Sequence, residues 1–164
     1  MRTEREYIID TLEAAGIRKS CIYTTLKRLR TANEMRVGGV LQAGEHFERS
    51  SSKTKYTDQE GQRVTRWKVW SRETRFQVVI ADSTDDKVEE VLVNFLLLLK
   101  KGIDVDRNWT GIEVSDIDWV EADDSILKSK VAIQFQITFH GGVYRDSNIK
   151  TLTLGEVDED RQEE

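Results

Sequence analysis

Apolar positions along this chain recur with two different periods, and the changes between them mark out its elements. From Glu4 to Ala15, Tyr7, Ile8, Leu12 and Ala15 fall at helical spacing and Gly16 follows, which predicts an amphipathic helix with a glycine stop. Residues 17–33 fit two descriptions. Ile22, Tyr23, Leu26 and Leu29 suit a helix, whereas Cys21-Ile22-Tyr23-Thr24-Thr25 suits a short strand followed by a helical turn. Residues 35–47 read as a strand whose phase changes at Gly38-Gly39, predicting a bulge or bend there. Ser50 to Lys55 is polar and reads as a flexible connection, and Tyr56 to Arg63 reads as a hairpin turn centred near Gly61. Residues 36–75 therefore predict a long, charged β-excursion projecting from the core. The chain returns at Arg75 to Ala81, with Phe76, Val78 and Ile80 on one face and Val79 on the other.

Asp82-Ser83-Thr84-Asp85 is a helix-start cluster, with Asp86, Glu89 and Glu90 placed to suit the positive end of a helix dipole. Val88, Val91, Leu92, Phe95, Leu96 and Leu99 then predict a broad stripe packed on a sheet, with Lys100 and Lys101 at its end and Gly102 as the stop. The clearest strand is 131–139: Val131, Ile133, Phe135, Ile137 and Phe139 alternate with Ala132, Gln134, Gln136, Thr138 and His140. Upstream, Ile112 and Val114 alternate in one phase and Ile117 and Trp119 in the other, so a bulge is expected near Ser115-Asp116. Asp123-Asp124-Ser125 would close a hairpin onto the 131–139 strand. This order predicts an α+β fold, a mainly antiparallel sheet with helices packed on one face and a projecting β-hairpin arm. Residues 1–150 are expected to form a single domain, with the arm at about 45–75. Residues 151–164, which hold six acids in their last nine positions, are expected as an acidic, disordered tail.

Composition narrows the function classes. The 164 residues hold no proline, so polyproline linkers and recognition motifs are excluded, and one cysteine, so neither a disulfide framework nor a Cys-rich zinc site is available. Met1 to Glu6 is charged, not an apolar leader, and the longest apolar run, Phe95 to Leu99, is far short of a membrane span; the chain is expected to be soluble and made inside the cell. The net charge of −5 hides a division: residues 1–80 hold 16 Lys/Arg against 10 Asp/Glu, and residues 81–164 hold 9 against 20. Such a split suits a nucleic-acid patch or a surface complementary to another protein or another copy.

Catalytic signals are weak. His46 and His140 are distant in sequence, and no phosphate-binding loop or metalloprotease motif is present. Cys21, His140 and Asp146 are the available members of a nucleophilic triad, yet Cys21 reads as a structural cysteine. Asp116, Asp118, Glu121, Asp123 and Asp124, followed by Lys128 and Lys130, have the composition of a Mg²⁺-dependent nuclease site, but Asp123 and Asp124 fall in a turn, where aspartate bonds its own backbone. Residues 16–30 resemble the second half of a helix-turn-helix, with Arg18, Lys19, Lys27 and Arg28 as its basic residues; a DNA-binding regulator is the alternative this supports. No catalytic residue, cofactor site or metal site is assigned. Residues 62–75 interleave cations with rings, and Arg63, Arg66, Trp67, Lys68, Trp70 and Arg72 are the expected subunit or partner interface, because Trp and Arg are enriched at protein–protein hot spots.

Arg36-Val37-Gly38-Gly39-Val40-Leu41, Glu48-Arg49, Tyr56-Thr57-Asp58, the basic hairpin leading to Val78-Val79-Ile80-Ala81-Asp82, Asp118-Trp119-Val120-Glu121 and Phe139-His140-Gly141-Gly142-Val143-Tyr144-Arg145-Asp146 together resemble small structural proteins of bacteriophage tails. Over residues 4–146 the element order is similar to the tail-terminator family, which includes the minor tail protein U type. The resemblance implies a non-enzymatic virion protein, a hexameric ring at the head-proximal end of the tail that meets the tail tube protein and the neck or head–tail connector; another head–tail joining protein of the same fold is the near alternative. It also implies assembly in the host cytoplasm, no membrane partner, and DNA passing through the lumen without specific binding. In that arrangement Gln134, Gln136 and Thr138, on the polar side of the 131–139 strand, would face the lumen.

Overall fold

The computed structural model describes residues 2–121, 127 and 130–148. In chain order the elements are α1 (Arg2–Ala14), a 3₁₀ turn at Lys19–Cys21, β1 (Ile22–Tyr23), α2 (Leu26–Arg30), β2 (Val37–Arg49), β3 (Lys53–Thr57), β4 (Arg63–Asp82), α3 (Asp85–Leu98), β5 (Gly102–Val105), β6 (Asn108–Val114), β7 (Asp118–Val120) and β8 (Val131–Asn148). The strands form one sheet in the order β1-β2-β4-β8-β6-β5, with β3 added to β4 and β7 to β8. Every pairing is antiparallel except β1 with β2. The expected α+β class with a mainly antiparallel sheet is therefore the observed one. Among the described residues no helix is long and apolar enough to cross a membrane.

The core lies between the sheet and two helices. Cross-strand pairs Ile80–Ile133, Val78–Phe135 and Phe76–Ile137 line one face. Ile8 and Leu12 of α1 and Val88, Val91 and Phe95 of α3 cover it, all at most 1% exposed. Phe95 meets Phe135 at 5.7 Å and Phe76 meets Phe139 edge-on at 6.0 Å. The two helices run antiparallel: Tyr7, on the second turn of α1, accepts the Lys100 N–H beyond the end of α3 at 2.8 Å. At the other end Arg36 bonds Asp82 at 2.7 Å, reaches Glu90 at 3.6 Å and lies beside the Gly16 carbonyl. Gly16 has φ +116°, the left-handed region that lets glycine end a helix and turn the chain.

Residues 17–33 take the second of their two readings, a two-residue strand and then a five-residue helix. This short helix packs on the opposite face of the sheet, because Leu29 lies over Gly39, whereas Leu12 and Ile17 lie over the adjacent Gly38. The glycine pair is thus a thin spot that admits side chains from both faces. The bulge expected there sits further along β2, between Gln42 and Gly44. The bulge expected near Ser115-Asp116 is present: β6 and β7 pair successive parts of β8, with three residues between Val114 and Asp118 facing two between Ile137 and Gln134.

Three further differences have simple causes. Leu96, assigned to the buried stripe, is 39% exposed because α3 turns only about a third of its circumference to the sheet. The β5–β6 hairpin, which has no glycine in its turn, places Asp106 and Arg107 at φ 51° and 64°. The arm is more than a hairpin: β8 continues beyond the core and pairs with β4 out to Val64–Asn148, so the projection is a three-stranded ribbon. The acidic segment 151–164 and the turn at Asp123-Asp124-Ser125 lie outside the described residues.

Candidate subunit interface

The arm is built on β4, which at 20 residues is far longer than the core requires. The N-terminal turn of α1 ends over its base, where Arg5 lies against the Phe76 ring and Glu4 is 4.0 Å from Arg72. Arg63 to Ser71 extends past that point, about 30 Å at ~3.3 Å per residue. β2 and β3 flank it on one side and the end of β8 on the other.

A bulge decides what this ribbon displays. Trp67 and Trp70, three apart, would face opposite ways on a regular strand. The register shift between Lys68 and Trp70 pairs them with Arg145 and Val143, two apart on β8, so both rings share one face. Each ring carries a cation: Arg49 stacks on Trp70 at 4.2 Å and Lys53 on Trp67 at 5.3 Å. Phe47 and Lys55 of the outer strands and Val143 and Arg145 of β8 share the same face and are exposed.

The six expected interface residues have different fates. Arg63 is exposed near the tip, and Lys68 lies across the backbone beside Gly142 on the other face. Trp67 and Trp70 are half-buried beneath their cations. Arg66 is consumed internally: it grips Asp146 with two bonds of 2.7 Å, donates to Asn108 Oδ1 at 3.0 Å and lies over the Tyr56 ring. The Arg66 bond, aided by Tyr56 and opposed by partial burial, holds the Asp146 carboxyl below its ordinary range, and Asp146 in turn raises Arg66. Arg72 donates to Glu45 through two nitrogens, at 2.9 and 2.5 Å. These two arginines brace the arm against the β5–β6 turn and against β2. A cleft of about 390 Å³ between the arm and that turn has both arginines in its wall. The arm's cations that reach solvent are Arg49, Lys53, Lys55, Arg63 and Arg145, all but Arg63 outside the 62–75 window. The signal in the sequence for two of them was the period-two spacing of Lys53 and Lys55 on one strand.

The lumen candidates stand together on the face opposite α1 and α3. Gln134, Gln136 and Thr138 are half-buried there, and Gln77 of β4 donates to Gln134 across the strands at 3.1 Å. With Ser115 and Asp118 the two glutamines line a shallow cleft of about 190 Å³.

The triad members do not converge. Cys21 is buried at the 3₁₀ turn, His140 bonds Glu113 at 2.9 Å, and Asp146 is held by Arg66. His46 and His140 do flank one residue, Glu73, across three strands. Of the acidic set, Asp116 and Asp118 are exposed, and Lys130 donates to the Ala32 carbonyl at 3.2 Å. Asp123, Asp124 and Lys128 lie outside the described residues. Among the described residues no three His, Cys, Asp or Glu side chains are placed to hold a metal ion. Residues 16–30 hold a 3₁₀ turn, a two-residue strand and a five-residue helix, with Arg18, Lys19, Lys27 and Arg28 exposed along them. No family model and no curated protein sequence matches this chain.

Proposed function

We infer that this chain is a structural virion protein without catalytic activity, a tail-terminator-like subunit that closes into a six-fold ring on the tail tube and offers the neck a docking surface. The observation that carries the reading is the arm: a ribbon extending about 30 Å past the helices, braced by internal ion pairs and carrying cation-capped aromatics on an open face. Such a limb has no role in its own core, and its reach suits a head-to-tail contact, where one patch meets a different patch on the next subunit. The ring reading also has DNA pass through the lumen, and the glutamine row of Gln77, Gln134 and Gln136 supports that. It is polar and uncharged, a surface past which DNA moves without being held.

Light scattering and negative-stain imaging of the purified chain test the ring directly. Six-fold rings are expected. A monomer that also shifts duplex DNA, with a salt slope set by Arg18, Lys19, Lys27 and Arg28, would replace this reading with the DNA-binding alternative. In assembled particles, Gln134→Lys with Gln136→Lys should impair DNA ejection and leave ring formation intact; unchanged ejection would remove these residues from the lumen.

A further inference from the structure

α3 carries a stripe that its own fold does not use. On the side away from Val88, Val91 and Phe95, the residues Asp86, Glu89, Val93, Leu96 and Leu97 recur at the three-and-four spacing of one helix face, and all are exposed. Leu97 is 79% exposed and Val93 47%. The first half of this stripe is acidic and the second apolar.

The open face of the arm has the same order with the opposite charge. Nearest the core it carries Phe47, Val143 and Trp70 with Arg49 stacked on it; towards the tip cations predominate, with Lys53 over Trp67, Lys55 and Arg145. Glu45, the acid on this face, is already bonded to Arg72. The lengths agree as well. Gly141 to Ser147 spans about 20 Å of ribbon, and Asp86 to Leu97 spans about 17 Å of helix. The arm cannot reach α3 of its own chain, because both are fixed to the same β4–β8 pairing and the ribbon runs away from the helices.

Resting on the ring reading, we propose that the arm of one copy lies across α3 of the next, with its tip cations over Asp86 and Glu89 and its basal aromatics over Val93, Leu96 and Leu97. The contact joins two different patches, so it propagates from copy to copy until the ring closes.

Charge reversal in two separate chains tests this. One chain carries Lys53→Glu and Lys55→Glu; the other carries Asp86→Lys and Glu89→Lys. Each alone should lose self-association at least tenfold by sedimentation velocity while keeping the wild-type circular dichroism spectrum, with a modestly lowered melting curve because Asp86 and Glu89 suit the α3 dipole and Lys53 caps Trp67. Mixed one to one they should recover it, because every arm then meets an α3 of opposite charge. Association of either variant at wild-type strength, or no recovery in the mixture, overturns the arm-to-α3 contact while leaving the ring itself standing. Recovery to a closed pair, with a mass of two chains, supports the contact and overturns the ring. A wild-type chain that is monomeric at every concentration overturns the contact, and the capping of tubes then judges the ring reading separately.

Discussion

Asp82 shows how a single side chain ties the ends of several elements together. Its carboxylate, 4% exposed, accepts from Arg36 at 2.7 Å and from the Ser83 N–H at 2.6 Å, at the junction of β4 and α3. Burial pushes this carboxyl up, but the Arg36 and Ser83 bonds together outweigh it and hold it below its ordinary value of 3.8. A depressed carboxyl contributes stability that is present above the unfolded value and lost as pH falls through the folded one. Asp82→Asn should therefore cost about 2 kcal/mol at neutral pH, and the gap between the two melting curves should narrow below pH 4; a gap that stays constant to pH 3 would contradict it. Gly39 makes a steric counterpart. A methyl there would sit 2.8 Å from Leu29 Cδ2 and 3.3 Å from Val79 Cβ. Gly39→Ala should destabilise by about 1–3 kcal/mol, and combined with Leu29→Ala the loss should be smaller than the sum of the two single losses in denaturant titrations. Additive losses would show that the two positions do not share the space. Gly39 announces itself in the sequence only as a phase change, since the second face it opens belongs to a helix that propensity left undecided.

At the scale of elements, legibility followed how directly a face meets the core. The 131–139 strand and the inner stripe of α3 were readable because one side of each is apolar and buried and the other is not. The continuation of β8 from His140 to Asn148 has two glycines and charged residues, and only its long pairing with β4 makes it a strand. The β5–β6 turn was invisible because it takes the left-handed conformation with Asp106 and Arg107, where sequence signals expect asparagine and glycine. Arg107→Gly should thus stabilise the chain by about 1 kcal/mol, read by chemical denaturation; no gain would show that Arg107 holds its φ of 64° without strain. The candidate site was legible in kind and not in detail. A run of cations and rings marked the arm, but Asp146 lies 80 positions from Arg66 and Glu45 lies 27 from Arg72, so no local pattern distinguished braces from free cations.

Across the whole molecule, exposed cations gather mainly in two places, on the ribbon (Arg49, Lys53, Lys55, Arg63 and Arg145) and along residues 18–30, while Asp86, Glu89 and Glu90 are exposed on α3. If arm and α3 meet as proposed, self-association should weaken as salt rises from 0.1 to 1 M, where the Debye length falls from about 10 to 3 Å. Salt-independent association would place the contact on the apolar residues alone. The central claim, that these surfaces close a ring that ends a tube, is met most directly by imaging tubes grown from the partner tail tube protein with and without this chain. The account predicts density capping one end of each tube and an arrest of further growth at that end. Tubes that grow at both ends at an unchanged rate, with no bound cap, would contradict it.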